Sequence, residues 1–251
     1  MPELPEMENY KILLSQQIIN QPITHVTIER EKSINVPAHS FTSMLLGKKI
    51  VSISRRAKHL LFHLENNKIL LLHLMLGGSM FYGTKEEKPN RTSQVTLSFG
   101  DYHLYFIGLR LGYLHLLSQE ATENELKDLG REPLDPSFTL ETFLQEASSK
   151  RGRVKTTLTD QQFIAGIGNR YSDEICFHSR ILPMKNMNEL TAEQVKQLFL
   201  SIQHILKEAS NRGDTCLNYF LLVINAQVDM SHTLRSITER EKNVTDVGQR
   251  L

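Results

Sequence analysis

The sequence predicts an α+β protein in which strands come first and helices second. Three observations point to this class. Short apolar segments separated by turn residues fill residues 23–117, a polar stretch typical of a linker follows at 118–136, and apolar residues at helical spacing dominate residues 140–209. Strands followed by helices are the pattern of α+β folds, whereas α/β sheets alternate the two elements.

The first half of the chain carries one helix and then strands. Apolar residues at helical spacing predict a helix from Tyr10 to Ile19. Asn66–Asn67 and Gly100–Asp101 are typical of tight turns between strands. Many short strands at this spacing favour a sandwich or a barrel. The predicted strands are Ile23–Ile28, Ile50–Ile53, Leu60–Leu64, Lys68–Leu76, Val95–Phe99, Tyr102–Ile107 and Tyr113–Leu117.

The second half is predicted to be mostly helical. The polar stretch at 118–136 ends in two prolines and is interpreted as a linker with one helical turn. Thr191 and Gln194 have the spacing of a capping box, which marks the start of a helix. The predicted helices are Leu140–Ala147, Tyr171–His178 and Thr191–Ala209.

Composition narrows the class of function. The 251 residues include 29 Lys and Arg against 28 Asp and Glu, for a net charge of +1, so any basic surface must be local. The two cysteines, Cys176 and Cys216, form no CxxC pair, which argues against a disulfide framework or a thiolate zinc site. No signal peptide or membrane-spanning run is evident. We therefore expect a cytoplasmic protein without metal, cofactor or membrane contact.

The first six residues, MPELPE, offer a nucleophile with an acid beside it. Removal of Met1 would leave Pro2 with a secondary amine, and an α-amine titrates near pH 8, far below a lysine. Such an amine attacks aldehyde-level carbons to form a Schiff base, and Glu3 is placed to carry the proton this requires. The alternative is a turn-rich leader without chemistry.

A glycine-containing segment in the second half predicts an anion site. Gly166 and Gly168 allow close approach of main-chain amides, and Asn169 is predicted to be the N-cap of the helix that follows. From Lys150 to Arg180 there are six Lys and Arg against three Asp and Glu, so the region is locally basic. An ordinary helix turn with a solvated run of charges remains the alternative.

Four segments in order resemble one family. They are MPELPE at 1–6, RAKHL at 56–60, LGREPL at 129–134, and AGIGNRYSDE at 165–174 with Lys155 upstream. Together they resemble the Fpg/Nei family, the formamidopyrimidine-DNA glycosylases and their endonuclease VIII relatives, with Arg131 in place of the family's usual proline. The resemblance runs from the first residue to about Phe220.

The resemblance implies an architecture. We expect an N-terminal β-sandwich with an N-terminal helix at residues 1–120, a linker at 121–136, a helical domain with a helix–two-turn–helix at 137–220, and a zinc-free C-terminal remnant at 221–251.

The resemblance also implies chemistry on damaged double-stranded DNA, carried out by a monomer that is associated with the nucleoid when bound to DNA. The family flips a base out of the duplex. Pro2 would then attack the sugar, Glu3 would move protons, Glu6 would shape the site, and elimination would cut the strand. Lys58 completes the implied catalytic set. The implied DNA contacts, made to phosphates rather than base edges, are Lys58, Lys155, Gly168 and Asn169.

The chain departs from the family where side chains fill the gap left by the flipped base. Leu76 replaces a methionine, Leu109 the arginine that pairs with the orphaned base, and Leu111 an aromatic wedge. Leucine is still an apolar wedge, but it does not hydrogen-bond a base. Arg110 is the alternative base contact, although strand alternation argues against it.

The second departure is the zinc finger. No cysteine follows Cys216, and a zinc site needs about four ligands. Residues 243–250 resemble the arginine-bearing turn of the finger, which makes Arg250 a candidate DNA contact.

Three classes of function stay open at this point. The first is an active glycosylase or abasic-site lyase. The second is a non-catalytic binder of bent, gapped or branched DNA, such as a junction, which the lost wedge residues favour. The third is a protein-interaction scaffold, which predicts no salt-dependent DNA binding.

Overall fold

The computed structural model describes residues 1–212 and confirms the predicted α+β class. The first half holds helix α1 and eight strands with the short helix α2 inserted, and the second half is helical. The elements are α1 Leu4–Ile18, β1 His25–Ile28, α2 Ala38–Leu45, β2 Ile50–Arg56, β3 His59–Leu64, β4 Lys68–His73, β5 Ser79–Gly83, β6 Ser93–Phe99, β7 Tyr102–Ile107, β8 Tyr113–Ser118, α3 Gln119–Leu126, α4 Leu140–Ala147, α5 Val154–Leu158, α6 Asn169–Ser179 and α7 Ala192–Arg212.

Two four-stranded antiparallel sheets form the predicted sandwich. Their strand orders are β1-β6-β7-β5 and β2-β3-β4-β8. Alternate residues of each sheet point into a shared apolar core, where Phe62 and Phe106 meet edge to face with ring centroids 6.3 Å apart. In the second sheet His59 pairs with His73 across β3 and β4, and His73 pairs with Tyr113 across β4 and β8.

A second core holds the helical half together. Phe143 of α4, Ile175 of α6 and Ile202 of α7 are fully buried in it. The predicted capping box at the start of α7 is present, since the Gln194 amide N–H donates to Thr191 Oγ1 and the Gln194 side chain accepts from the Thr191 N–H. Among residues 1–212, no helix is long and apolar enough to cross a membrane.

Several predicted boundaries were wrong for identifiable reasons. Helix α1 begins at Leu4 rather than Tyr10, because Glu3 and Glu6 form a capping box and proline is tolerated in a first turn. The strand predicted to reach Leu76 ends at His73, since Met75 and Gly77 have positive φ and turn the chain. The predicted linker holds the eight-residue helix α3, which is two turns rather than one.

Elements with sparse apolar patterns were missed altogether. Helix α2 buries only Phe41 and Leu45, helix α5 has five residues, and strand β5 follows two glycines. Cys216, Arg250 and the expected remnant at 221–251 lie outside the described residues.

Candidate functional site

The side chain of Glu3 joins the two halves of the protein. Its carboxylate is buried and accepts main-chain N–H groups from the start of α6: Gly168 at 2.6 Å, Arg170 at 3.0 Å and Tyr171 at 3.4 Å. The carboxylate thus lies at the positive dipole end of α6, where main-chain amides bind anions. Pro2 therefore lies at the junction of sandwich and helices, directly before this anchor.

This arrangement corrects the predicted anion site at the start of α6. The N-cap of α6 is Gly168, and Asn169 is the exposed first helical residue rather than the cap. The main-chain amides that the sequence assigned to a phosphate are bound by Glu3 instead. A side chain at 168 would displace the Glu3 carboxylate, because an added Cβ would overlap it.

Glu6 is the second buried carboxylate of the site. It accepts the Glu3 N–H at 2.9 Å and the Tyr171 hydroxyl at 2.7 Å, and Arg170 Nη1 lies 3.4 Å away. Burial and the charge of Glu6 raise the pKa of Tyr171, which keeps its hydroxyl a donor. Arg170 and Tyr171 were missed by sequence reasoning, although both directly follow Asn169 in the recognised segment.

Lys58 lies on the two-residue turn between β2 and β3. It is 5% exposed, and no residue among 1–212 hydrogen-bonds or ion-pairs with its ammonium. Burial lowers the pKa of Lys58, and the negative charge of Glu3 partly opposes this. An ammonium without a hydrogen-bond or ion-pair partner, on a largely buried side chain, is suited to an incoming anion.

His73 extends this donor group and was also missed. Burial and the charge of Lys58 lower its pKa to about 4, so the ring is neutral at neutral pH. Its Nε2 is buried without a hydrogen-bond partner in the described part of the chain. The signal that would have found it is the cross-strand pairing with His59, next to Lys58.

The Lys155 ammonium forms an ion pair with a carboxylate of the protein. Its ammonium lies 2.6 and 2.8 Å from the two carboxylate oxygens of Asp173, one helical turn beyond Asn169 on α6. The ion pair thus places Lys155 on the same face of α6 as Asn169.

The four residues predicted to fill the gap left by the flipped base, or to contact the orphaned base, separate into two groups. Leu109 is fully buried in the sandwich core, its N–H donates to Gln94 Oε1 at 2.8 Å, and its carbonyl accepts from Ser33 Oγ at 3.1 Å. The predicted contact of Leu109 with DNA is therefore corrected, because its side chain and both main-chain groups are occupied. Arg110 is exposed instead.

Strand alternation failed here because residues 108–112 form a turn, not a strand. Leu111 and Leu76 are 63% and 69% exposed. Their turns are in contact, since a Cβ added to Gly108 would overlap the Gly77 carbonyl oxygen. Two exposed leucines with Arg110 therefore project from adjoining turns. Within residues 1–212, no cluster of three or more His, Cys, Asp or Glu is arranged to hold a metal.

Comparisons with known proteins agree with this geometry. Residues 1–113 match the family model of the formamidopyrimidine-DNA glycosylase N-terminal domain, and residues 129–220 match that of the formamidopyrimidine-DNA glycosylase H2TH domain. A formamidopyrimidine-DNA glycosylase of Listeria monocytogenes is 32% identical over 226 residues, covering 88% of this chain and 82% of the relative. One from Oceanobacillus iheyensis is 31% identical over 236 residues, covering 92% and 83%.

Solved structures show the same likeness. The Lactococcus lactis formamidopyrimidine-DNA glycosylase, non-covalently bound to DNA containing an AP site, superposes with a TM-score of 0.79 at 28% identity over 86% of this chain and 84% of that one. A point mutant of the same enzyme, in complex with Fapy-dG-containing DNA, gives 0.81 at 27% identity over 93% and 87%. The fold and site define an α+β protein in which a β-sandwich docks its N-terminal residues on an H2TH module. The chain belongs to the formamidopyrimidine-DNA glycosylase family.

Proposed function

We propose that this DNA-binding repair protein of the Fpg/Nei superfamily acts as a monomer and cuts duplex DNA at abasic sites through the amine of Pro2. The observation that carries the proposal is the pair of buried carboxylates beside Pro2. Glu3 is held by the amides of α6, and Glu6 is held by the Glu3 N–H and the Tyr171 hydroxyl. Relatives of this fold have been solved on abasic-site DNA.

The chemistry begins with the mature N-terminus. Without Met1, the amine of Pro2 adds to C1′ of the open-chain abasic sugar, and the carbonyl oxygen leaves as water to give an iminium ion. Loss of a C2′ proton then breaks the C3′–O bond and expels the 3′ phosphate. Hydrolysis of the iminium regenerates the amine. Glu3, adjacent to Pro2, is the group that carries the protons of these steps.

Residues around Pro2 bind the DNA phosphates. Lys58 offers an ammonium on a largely buried side chain, and His73 offers a buried ring nitrogen; neither has a hydrogen-bond partner in the described part of the chain. Lys155 of α5 and Asn169 at the start of α6 offer a further pair. A phosphate near Lys58 replaces lost hydration of the ammonium, so binding favours its charged form. These contacts position DNA without reading its sequence.

The adjoining turns supply the wedge. Leu76 and Leu111 fill the gap left by an extruded nucleotide, and Arg110 reaches the orphaned base. Excision of an intact damaged base is the more demanding reaction, because unstacking costs a few kcal/mol and the wedge has only aliphatic side chains. An abasic sugar has no base to unstack, which makes it the preferred substrate.

Borohydride trapping on a duplex with one abasic site tests this proposal. The mature protein should form a covalent adduct, the DNA should be found on the N-terminal proteolytic peptide, and intact duplex should give none. Pro2→Gly should reduce the adduct sharply. An adduct on an internal lysine, or no adduct at all, contradicts the proposed role of Pro2.

A second candidate function is non-catalytic binding of bent, gapped or branched DNA. The burial of Leu109 favours it, because the position that would pair with the orphaned base is withdrawn from the surface. In that case the protein binds a four-way junction more tightly than plain duplex at matched salt and forms no adduct. Equal affinity for the two DNAs excludes this candidate.

A further inference from the structure

The turn that carries Lys58 has an unusual backbone. Arg56 pairs with His59, so Ala57 and Lys58 form a two-residue hairpin loop. Ala57 has φ of 53° and is buried. Glycine is the usual residue where the first central position of such a turn has positive φ, because a residue with a Cβ is strained in that conformation. An alanine at this position needs external contacts to hold its conformation.

Glu132 supplies those contacts from the segment between α3 and α4. Its Oε1 accepts the Ala57 N–H and, at 3.1 Å, Arg56 Nη1. Its Oε2 forms an ion pair of 2.8 Å with Arg55 Nη2. The side chain of Glu132 is therefore bound to three consecutive residues of the turn and its preceding strand.

The same segment is tied to the loop before α6. The Gly130 N–H donates to the Gln161 carbonyl at 2.8 Å, the Arg131 N–H donates to the Phe163 carbonyl at 3.2 Å, and the Ala165 N–H donates to the Arg131 carbonyl at 2.9 Å. A proline at 131 would lack the second of these donors. Residues 129–132 thus connect the loop leading to the Glu3-binding amides with the turn that carries Lys58.

The conformation of Ala57 determines where Lys58 points. Reversing the sign of φ at the first central residue changes the turn type and redirects the Cα–Cβ bond of the second. No hydrogen bond or ion pair within residues 1–212 fixes the Lys58 ammonium. The backbone of the turn is therefore what holds Lys58 in place.

We infer that Glu132 is a positioning residue that holds the Ala57 turn and thereby directs Lys58 into the DNA site. The inference rests on the proposed function for its consequence in activity, but the structural part is independent of DNA. The competing role for Glu132 is charge neutralisation of Arg55 and Arg56 alone.

Three variants of the full-length mature protein separate these roles. Glu132→Gln keeps an oxygen acceptor for the Ala57 N–H but loses the charge. Glu132→Ala loses both. Glu132→Ala with Ala57→Gly loses both but relieves the strain of positive φ, since glycine adopts this conformation readily. Circular dichroism and urea unfolding show which variants fold, and the glycine double variant is expected to fold even where Glu132→Ala does not.

The first readout needs no DNA. Lysine labelled with ¹³C at Cε is titrated by NMR, and Lys58→Arg assigns the signal. In the wild type the pKa of Lys58 lies below 10.5. It should move up toward 10.5 in Glu132→Ala and return toward the wild-type position in the glycine double variant and in Glu132→Gln.

The second readout is the rate of borohydride trapping on abasic-site DNA. Glu132→Ala should be slower by on the order of tenfold or more, with recovery in the glycine double variant. If Glu132→Gln and Glu132→Ala lose trapping rate equally, and the glycine double variant does not recover it, the inference is overturned in favour of charge neutralisation. If the wild type gives no adduct but the Lys58 titration follows the expected series, the proposed function fails and the positioning role of Glu132 stands.

Discussion

The Lys155 ammonium lies 2.6 Å from one carboxylate oxygen of Asp173 and 2.8 Å from the other. A DNA phosphate that binds Lys155 must therefore compete with a carboxylate of the protein itself. Removing the charge of Asp173 should therefore strengthen the binding of DNA.

Asp173→Asn should bind abasic-site duplex about two- to fivefold more tightly, the range expected for an exposed ion pair. The gain should vanish when Lys155→Ala is added, and fluorescence anisotropy at several salt concentrations measures both. Asp160→Asn is the matched control, since it frees Lys150 from a longer contact of 3.4 Å and changes net charge equally. A similar gain in that control would assign the effect to net charge instead.

Gly168→Ala should impair the chemistry by displacing Glu3. The added Cβ would overlap Glu3 Oε1, so the carboxylate must leave at least part of its place on α6. We expect trapping to slow by on the order of tenfold or more, because small displacements of reacting groups are costly. Gly152→Ala, whose new Cβ meets nothing nearer than Thr157 Oγ1 at 3.4 Å, should trap at the wild-type rate.

Leu111→Ala should mainly weaken DNA binding, whereas Leu109→Ala should mainly lower the free energy of unfolding. Leu111 is 63% exposed, so its truncation should change the free energy of unfolding by less than about 0.5 kcal/mol while weakening binding to DNA with an extruded nucleotide. Leu109 is fully buried, and its truncation should lower the free energy of unfolding by about 2–5 kcal/mol. Urea unfolding and DNA titration of both variants check this, and a large loss of stability in Leu111→Ala would contradict the exposed wedge.

Stability should decline in mild acid because of two buried histidines. Burial lowers the pKa of His73 to about 4 and that of His59 to about 3, from 6.5 in the unfolded chain. The unfolded state therefore binds more protons below pH 6.5, and the free energy of unfolding falls as pH decreases from about 6.5 to about 4. Each histidine should contribute on the order of 1–2 kcal/mol between about pH 7.5 and about pH 5.

Urea unfolding at the two pH values measures this decline. His73→Phe should reduce the pH dependence, whereas His25→Gln, at an exposed position, should leave it unchanged. A pH dependence that is identical in His73→Phe and wild type would show that this ring is not the source.

Local sequence patterns correctly predicted those elements whose bounds depend only on residues close to them in the chain. Helix α4 was placed at the bounds that the structure shows, because its amphipathic pattern and caps lie within a few residues. The start of α1 was missed although its capping box of Glu3 and Glu6 is local, because two prolines made the leader resemble a turn. The attachment of Glu3 to α6 could not be predicted, because it depends on amides that follow it by 165 residues or more along the chain. The orientation of Leu109 depends on Ser33 and Gln94, which come from other strands and turns. Tertiary contacts of this kind leave no periodic signal.

The attachment of Glu3 to the first turn of α6 also bears on synthesis of the protein. A growing chain emerges with Pro2 first, but the amides of Gly168, Arg170 and Tyr171 follow only after two thirds of the chain has been made. Until then the terminal amine has no ordered acid beside it. In the proposed mechanism, Glu3 can therefore serve the amine of Pro2 only after the helical half has folded against the sandwich.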